Sequence, residues 1–157
     1  MSRSIRVFTA IFLVLPIALF VAAILLRSRV VLLPSFLLGL IHLWVWTYFR
    51  PSCFEISGAA LRIVWPTRSL EIPLTEITTI DRLSTQDFKS RYGWGLRIGA
   101  GGLWGGFGLL VTKRRTFRFY ISRLDGFVLI YNKTTRPLLI TPSDPDNFVK
   151  ILEDRRP

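Results

Sequence analysis

The sequence predicts an α+β membrane protein in two parts: an apolar helical hairpin over residues 1–50, then an antiparallel β domain over 51–157 that closes with a helix. Two observations carry that reading. Residues 7–26 (VFTAIFLVLPIALFVAAILL) and 30–49 (VVLLPSFLLGLIHLWVWTYF) are each twenty residues long without a formal charge, separated only by Arg27-Ser28-Arg29. After Arg50-Pro51 the apolar period changes from helical to alternating, and turn residues punctuate the chain at short intervals.

Twenty helical residues reach about 30 Å, the thickness of a bilayer's hydrocarbon core. Two such runs joined by three residues predict a hairpin that crosses the membrane and returns, which holds the remainder of the chain against one face. Arg3 and Arg6 resemble the basic start of a signal peptide, but twenty apolar residues exceed the usual hydrophobic region and no small-x-small cleavage site precedes Arg27. The first run is therefore read as a retained anchor. Both ends of a hairpin share a side, and the lysine and arginine count places Arg3, Arg6, Arg50 and the β domain in the cytoplasm of a cell with an inner membrane. Trp44, Trp46, Tyr48 and Phe49 supply an interfacial aromatic belt. Pro16 and Pro34 mark kinks. His42, the single histidine, is read either as a packing residue near the interface or as a proton-relay group.

The 157-residue chain carries 21 basic and 10 acidic residues, a formal charge of +11, at a mean hydropathy of +0.41. Every acidic residue lies beyond position 50, with sixteen of the basic ones, so the β domain keeps a net +6. That excess suits an anionic surface, and a membrane anchor makes lipid the nearer one. The single cysteine, Cys53, excludes an internal disulfide framework.

Arg50-Pro51 ends the second helix. Residues 53–57 form the first strand, 60–65 the second with Leu61 and Ile63 on one face, 70–72 the third, and 77–83 (ITTIDRL) a β-branched fourth. Residues 116–122 (TFRFYIS) alternate cleanly, Asp125-Gly126 turns the chain, and 127–131 and 137–141 complete about seven strands. Asp144 fits a helix N-cap with Pro145 at the first helical position. Phe148, Ile151 and Leu152 form an apolar stripe.

Residues 92–112 (YGWGLRIGAGGLWGGFGLLVT) hold eight of the eleven glycines and two of the five tryptophans. Neither an intact GxGxxG nor a P-loop ending is present, so no nucleotide cofactor is expected. Three readings remain. The glycines permit two tightly curved strands and a turn, with Trp94, Trp104 and Phe107 in the core. Alternatively, residues 103–107 form a loop tip that dips into the headgroup region, with Arg97 and the cluster Lys113, Arg114 and Arg115 holding anionic phosphates beside it. In the third reading the segment is a self-association surface. The lipid or partner contacts expected are Trp104, Phe107, Lys113, Arg114 and Arg115. No Cys-His or Ser-His pair, metal-ligand spacing or nucleic-acid motif is present, which predicts a non-enzymatic protein without metal or cofactor and without a nucleic-acid partner.

The chain also resembles membrane-anchored bacterial PH-domain proteins over residues 53–153. The likeness rests on the apolar spans, on Glu71-Ile72-Pro73-Leu74-Thr75-Glu76-Ile77 after an early strand pair, on the glycine-rich middle, and on the ending from Ser143 through Phe148 (SDPDNF). It implies a PH-like fold, seven antiparallel strands in a curled barrel with the C-terminal helix over one end. Such folds host lipid, peptide and protein ligands, so a lipid-contacting module and a self-assembling scaffold or accessory subunit both remain open.

Overall fold

The apolar runs form helices α1 (Arg3–Leu25) and α2 (Arg29–Trp44), which pack on each other as a hairpin in a computed structural model that describes residues 3–101 and 104–156. The link is tight because Arg27 adopts a left-handed φ of 49°, a conformation usually left to glycine. Its N–H donates to the Ile24 carbonyl at 3.1 Å and the Ser28 N–H to Ala23 at 3.0 Å, the pair of bonds that closes a Schellman cap. At the other end α2 widens into a π-helical turn over Val45–Phe49, and the Arg50 N–H reaches back five residues to the Val45 carbonyl at 3.2 Å. Polar side chains in the hairpin bond to their own helix: Thr9 donates to the Ile5 carbonyl and Ser35 to Leu32, each at 2.7 Å. Both helical segments are long and apolar enough to cross a membrane, by length and composition.

Among the described residues the β domain holds nine strands: β1 (Cys53–Ser57), β2 (Ala60–Val64), β3 (Ser69–Pro73), β4 (Ile77–Leu83), β5 (Gly95–Gly101), β6 (Gly106–Thr112), β7 (Thr116–Ile121), β8 (Phe127–Asn132) and β9 (Leu138–Ile140). All seven expected strands are present. The glycine-rich segment supplies the other two, β5 and β6, as an antiparallel hairpin. The strands do not close into the expected curled barrel but form two sheets among the described residues. β1–β3 make one three-stranded sheet, and the other six make a second in the order β4-β8-β9-β7-β6-β5. β9 enters between β8 and β7, antiparallel to one and parallel to the other, which leaves β4 and β5 as free edges.

Helix α4 (Pro145–Asp154) starts where the sequence predicts, with the Asp144 carboxylate accepting from the Asn147 N–H at 3.2 Å. Helix α3 (Thr85–Tyr92) is an addition that the strand count missed. Its sequence, TQDFKSRY, is mostly polar and buries only Phe88 and Tyr92, one turn apart. A local signal does exist: Ser84 and Asp87 form a reciprocal capping box, and Gly93 ends the helix at φ 73°.

The centre of the large sheet is buried on both faces, which explains the uninterrupted apolar runs of β8 and β9. On one face Val128, Ile130, Leu138 and Ile140 pack with Leu61 and Ile63 of the small sheet and with Phe148 and Leu152 of α4. On the other, Leu129, Leu139, Phe117 and Phe119 pack with Phe88 and Tyr92 of α3. The hairpin β5–β6 owes its geometry to two facing glycines, Gly99 and Gly108, at φ 143° and 133°. A Cβ on Gly108 would lie 2.3 Å from the Ile98 carbonyl oxygen, and one on Gly99 would lie 2.2 Å from that of Phe107.

Candidate functional site

The small sheet and the tip of β5–β6 both dock on the apolar hairpin. The Trp65 indole N–H donates to the Phe49 carbonyl at 3.2 Å and the Arg68 guanidinium to Tyr48 at 3.0 Å, so the β2–β3 turn satisfies carbonyls left open at the helix end. Arg68 also stacks 4.7 Å from the Trp65 ring centroid. On the other side of the junction the Trp104 backbone N–H donates to the Thr9 hydroxyl at 2.9 Å, and the Arg50 guanidinium stands 5.9 Å from the Trp104 ring centroid. Thr9 is three residues past Arg6, about 4.5 Å along the helix. The tip of the glycine-rich hairpin therefore lies against the first turn of the apolar run.

Beside this contact the chain encloses a cleft of about 370 Å³. Four separate segments line it: the exit from α2 with Arg50, the β5–β6 hairpin with Trp104 and Phe107, the end of β7 with Tyr120, Ser122 and Arg123, and the β9–α4 connection with Thr141. Among the described residues the lining contains two arginines and no carboxylate. The Ser122 N–H donates to the Thr141 hydroxyl at 2.8 Å and joins two of these walls. Arg123 is held in place by Asp125 at 3.0 Å and by the Ser143 carbonyl at 2.9 Å, and Asp125 is in turn kept below the usual carboxylate range by that guanidinium. Burial pushes the Tyr120 phenol above its ordinary value, so it stays a neutral donor at physiological pH.

The residues expected from the sequence are split by the fold. Trp104 sits at the junction, partly buried, and Phe107 lines the cleft at 2% exposure. Lys113, Arg114 and Arg115 occupy the β6–β7 turn at the opposite end of β6, roughly 20 Å along the strand. There the Arg114 guanidinium donates to the Arg91 carbonyl at 2.7 Å and Arg115 stacks 5.5 Å from the Tyr131 ring. The structure does not gather the five into one surface. Leu103, part of the predicted tip, lies outside the described residues. Trp94 is a correction to the core reading: it is 84% exposed, with Lys89 4.9 Å from its ring centroid.

His42 is buried in the hairpin, its Nδ1–H donating to the Leu38 carbonyl at 2.6 Å and its Nε2 without a partner among the described residues. Sequence reasoning missed Arg50, Tyr120, Ser122, Arg123 and Thr141 as a group. No local spacing connects them, because strand order alone brings β7, β9 and the α2 exit to the same end of the domain.

Two stacked β-sheets with a C-terminal helix packed across them define the class, a small β domain carried after a helical hairpin. The model of the Bacterial PH domain family matches residues 53–156, and the chain belongs to that family. Domains of this kind are in general non-catalytic binding modules. No curated protein and no solved structure matches the chain.

Proposed function

We propose that the protein is a membrane-anchored, non-catalytic binding module whose PH domain works at the surface of an anionic leaflet. In this reading α1 and α2 span the bilayer and the PH domain is cytoplasmic. The tip of β5–β6 then rests among lipid headgroups. The observation that carries it is the bond from the Trp104 N–H to the Thr9 hydroxyl, which ties the tip to a helix one turn past its last charged residue. Arg3, Arg6, Arg50 and Arg68 then lie near the same boundary, where each basic group beside an anionic leaflet contributes about 1 kcal/mol of attraction. The turn from Lys113 to Arg115 braces α3 in this reading and stands away from the junction.

Depth measurement tests this directly. The full chain, with Cys53 replaced by serine, is reconstituted in nanodiscs and carries a nitroxide at position 104 or 114. Shielding from an aqueous relaxation agent at 104 and exposure at 114 are expected. Equal aqueous exposure of the two sites would refute the arrangement.

A second reading keeps the anchor but makes protein the ligand. Edge strand β5 exposes Leu96 at 68% and Ile98 at 53% beside Trp94, an apolar row on a strand with one open edge, suited to a second copy or a membrane-protein subunit. A discrete oligomer in detergent that Leu96→Asp dissolves would favour it.

A further inference from the structure

The junction cleft carries more information than its position. Its lining offers hydrogen-bond donors in excess of acceptors, and several have no intramolecular use. Arg50 makes no side-chain hydrogen bond or ion pair among the described residues, and its guanidinium stands 5.9 Å from the Trp104 ring centroid. The Tyr120 hydroxyl has no hydrogen bond among the described residues, although the ring is fixed edge-on to Trp65 at 5.2 Å between centroids. Arg123 spends three of its five N–H groups on Asp125 and Ser143 and has two left. Thr141 accepts from the Ser122 N–H and its hydroxyl stands 3.5 Å from the Ser122 hydroxyl, where either can donate, so the pair keeps one hydroxyl proton to offer. A set of donors, two of them cationic, with no carboxylate among the described lining residues, is complementary to an acceptor-rich anion. Phe54, Phe107 and Phe148 add an apolar wall. Such a cleft suits an anion that is attached to a less polar body.

We infer that this cleft is a phosphate-recognition site, in which Arg50 and Arg123 hold the phosphate of a phospholipid headgroup while Tyr120 and Thr141 donate to its remaining oxygens. The exit from α2 forms one wall of the cleft, which in the anchored orientation keeps it within reach of a headgroup in the adjoining leaflet. This inference rests on the anchored orientation proposed above. It differs from general surface attraction in predicting a saturable site with defined donors. It also assigns no ligand contact to the basic turn at the far end of β6.

The test uses the full chain in an uncharged detergent, with binding of a short-chain phosphatidic acid followed by calorimetry. Saturable binding is expected, with no binding of the matching diacylglycerol. Arg50→Gln leaves every hydrogen bond of the fold in place and should weaken binding by about tenfold or more. Arg123→Gln and Tyr120→Phe should each weaken it too, while Lys113, Arg114 and Arg115→Gln together leave it within about twofold. Glycerol 3-phosphate separates the two sources of the group. Weaker binding than the lipid supports a headgroup site, and equal affinity supports the phosphate site but assigns it to a soluble ligand. Unchanged affinity in a folded Arg50→Gln protein, or equal binding of diacylglycerol, would overturn the inference. The nitroxide depth at position 104 is read separately, in nanodiscs. Loss of cleft binding with depth retained therefore sinks this site alone, whereas loss of depth sinks the anchored reading beneath it.

Discussion

Gly108→Ala isolates what the glycine-rich hairpin is for. Gly108 faces Gly99 across the β5–β6 ladder at φ 133°, and a Cβ there would stand 2.3 Å from the Ile98 carbonyl oxygen and 3.0 Å from the Gly99 Cα. Backbone cannot swing aside as the end of a flexible side chain can. Relief requires the two strands to part or the residue to leave its conformation. The dihedral strain is worth about 1–3 kcal/mol and the overpacking a further 1–3 kcal/mol or so. A destabilisation of about 3 kcal/mol is therefore expected, which for a domain of this size lowers Tm by roughly 12–24 °C. Gly101→Ala is the matched control. A Cβ at that position meets none of the described atoms within 4 Å and its φ is not left-handed, so its cost should stay under about 1 kcal/mol. Thermal unfolding of the full chain in detergent, followed by tryptophan fluorescence, compares the two. The mutation should also release the Trp104–Thr9 contact before the rest of the domain unfolds, because the strained pair is close to the tip. If both variants unfold within about 3 °C of each other, the steric account of these glycines is wrong.

Two further outcomes follow from the core and its edge. Leu152→Ala empties a fully buried site between α4 and the Leu61–Ile63 wall, and should cost about 2–5 kcal/mol in the same assay; a loss under about 1 kcal/mol would mean that α4 does not cover the core. Tyr131 is pushed up to about 12, first by burial and then by its hydrogen bond with the Tyr92 hydroxyl. The folded value exceeds the unfolded one near 10, so this contribution is intact below about pH 10 and is lost as pH rises toward 12. The denaturant midpoint of the wild type should therefore fall more between pH 9 and 11.5 than that of Tyr131→Phe, and parallel falls would refute the assignment.

The sequence by itself determined the elements whose signals are local. Two uncharged twenty-residue runs became α1 and α2, alternation placed seven strands within a residue or two, and Asp144-Pro145 located the start of α4. The capping residues Ser84 and Asp87 were equally local signals for α3, but its polar body gave no periodic stripe to draw attention to them. The glycine-rich segment was legible only as a choice. Nothing in its sequence distinguishes core strands from a loop tip, since the decisive contacts are between Gly99 and Gly108 across a ladder and between Trp104 and Thr9 across 95 residues.

Tertiary structure alone decided the strand order and, through it, the cleft. Lys113, Arg114 and Arg115 stand out in the sequence as a cluster, yet the direction of β6 carries them away from Trp104. Arg50 and Arg123 are 73 positions apart and unremarkable where they stand in the chain. They share a cleft because β9 pairs with β7 in parallel, which brings Thr141 and the end of β7 to the point where the chain leaves α2. Local residue pattern fixes which face of a strand is apolar, because side-chain alternation is a property of the backbone. Which strand lies beside which is decided by burial summed over the whole domain, and a site assembled from strand ends is a consequence of that sum.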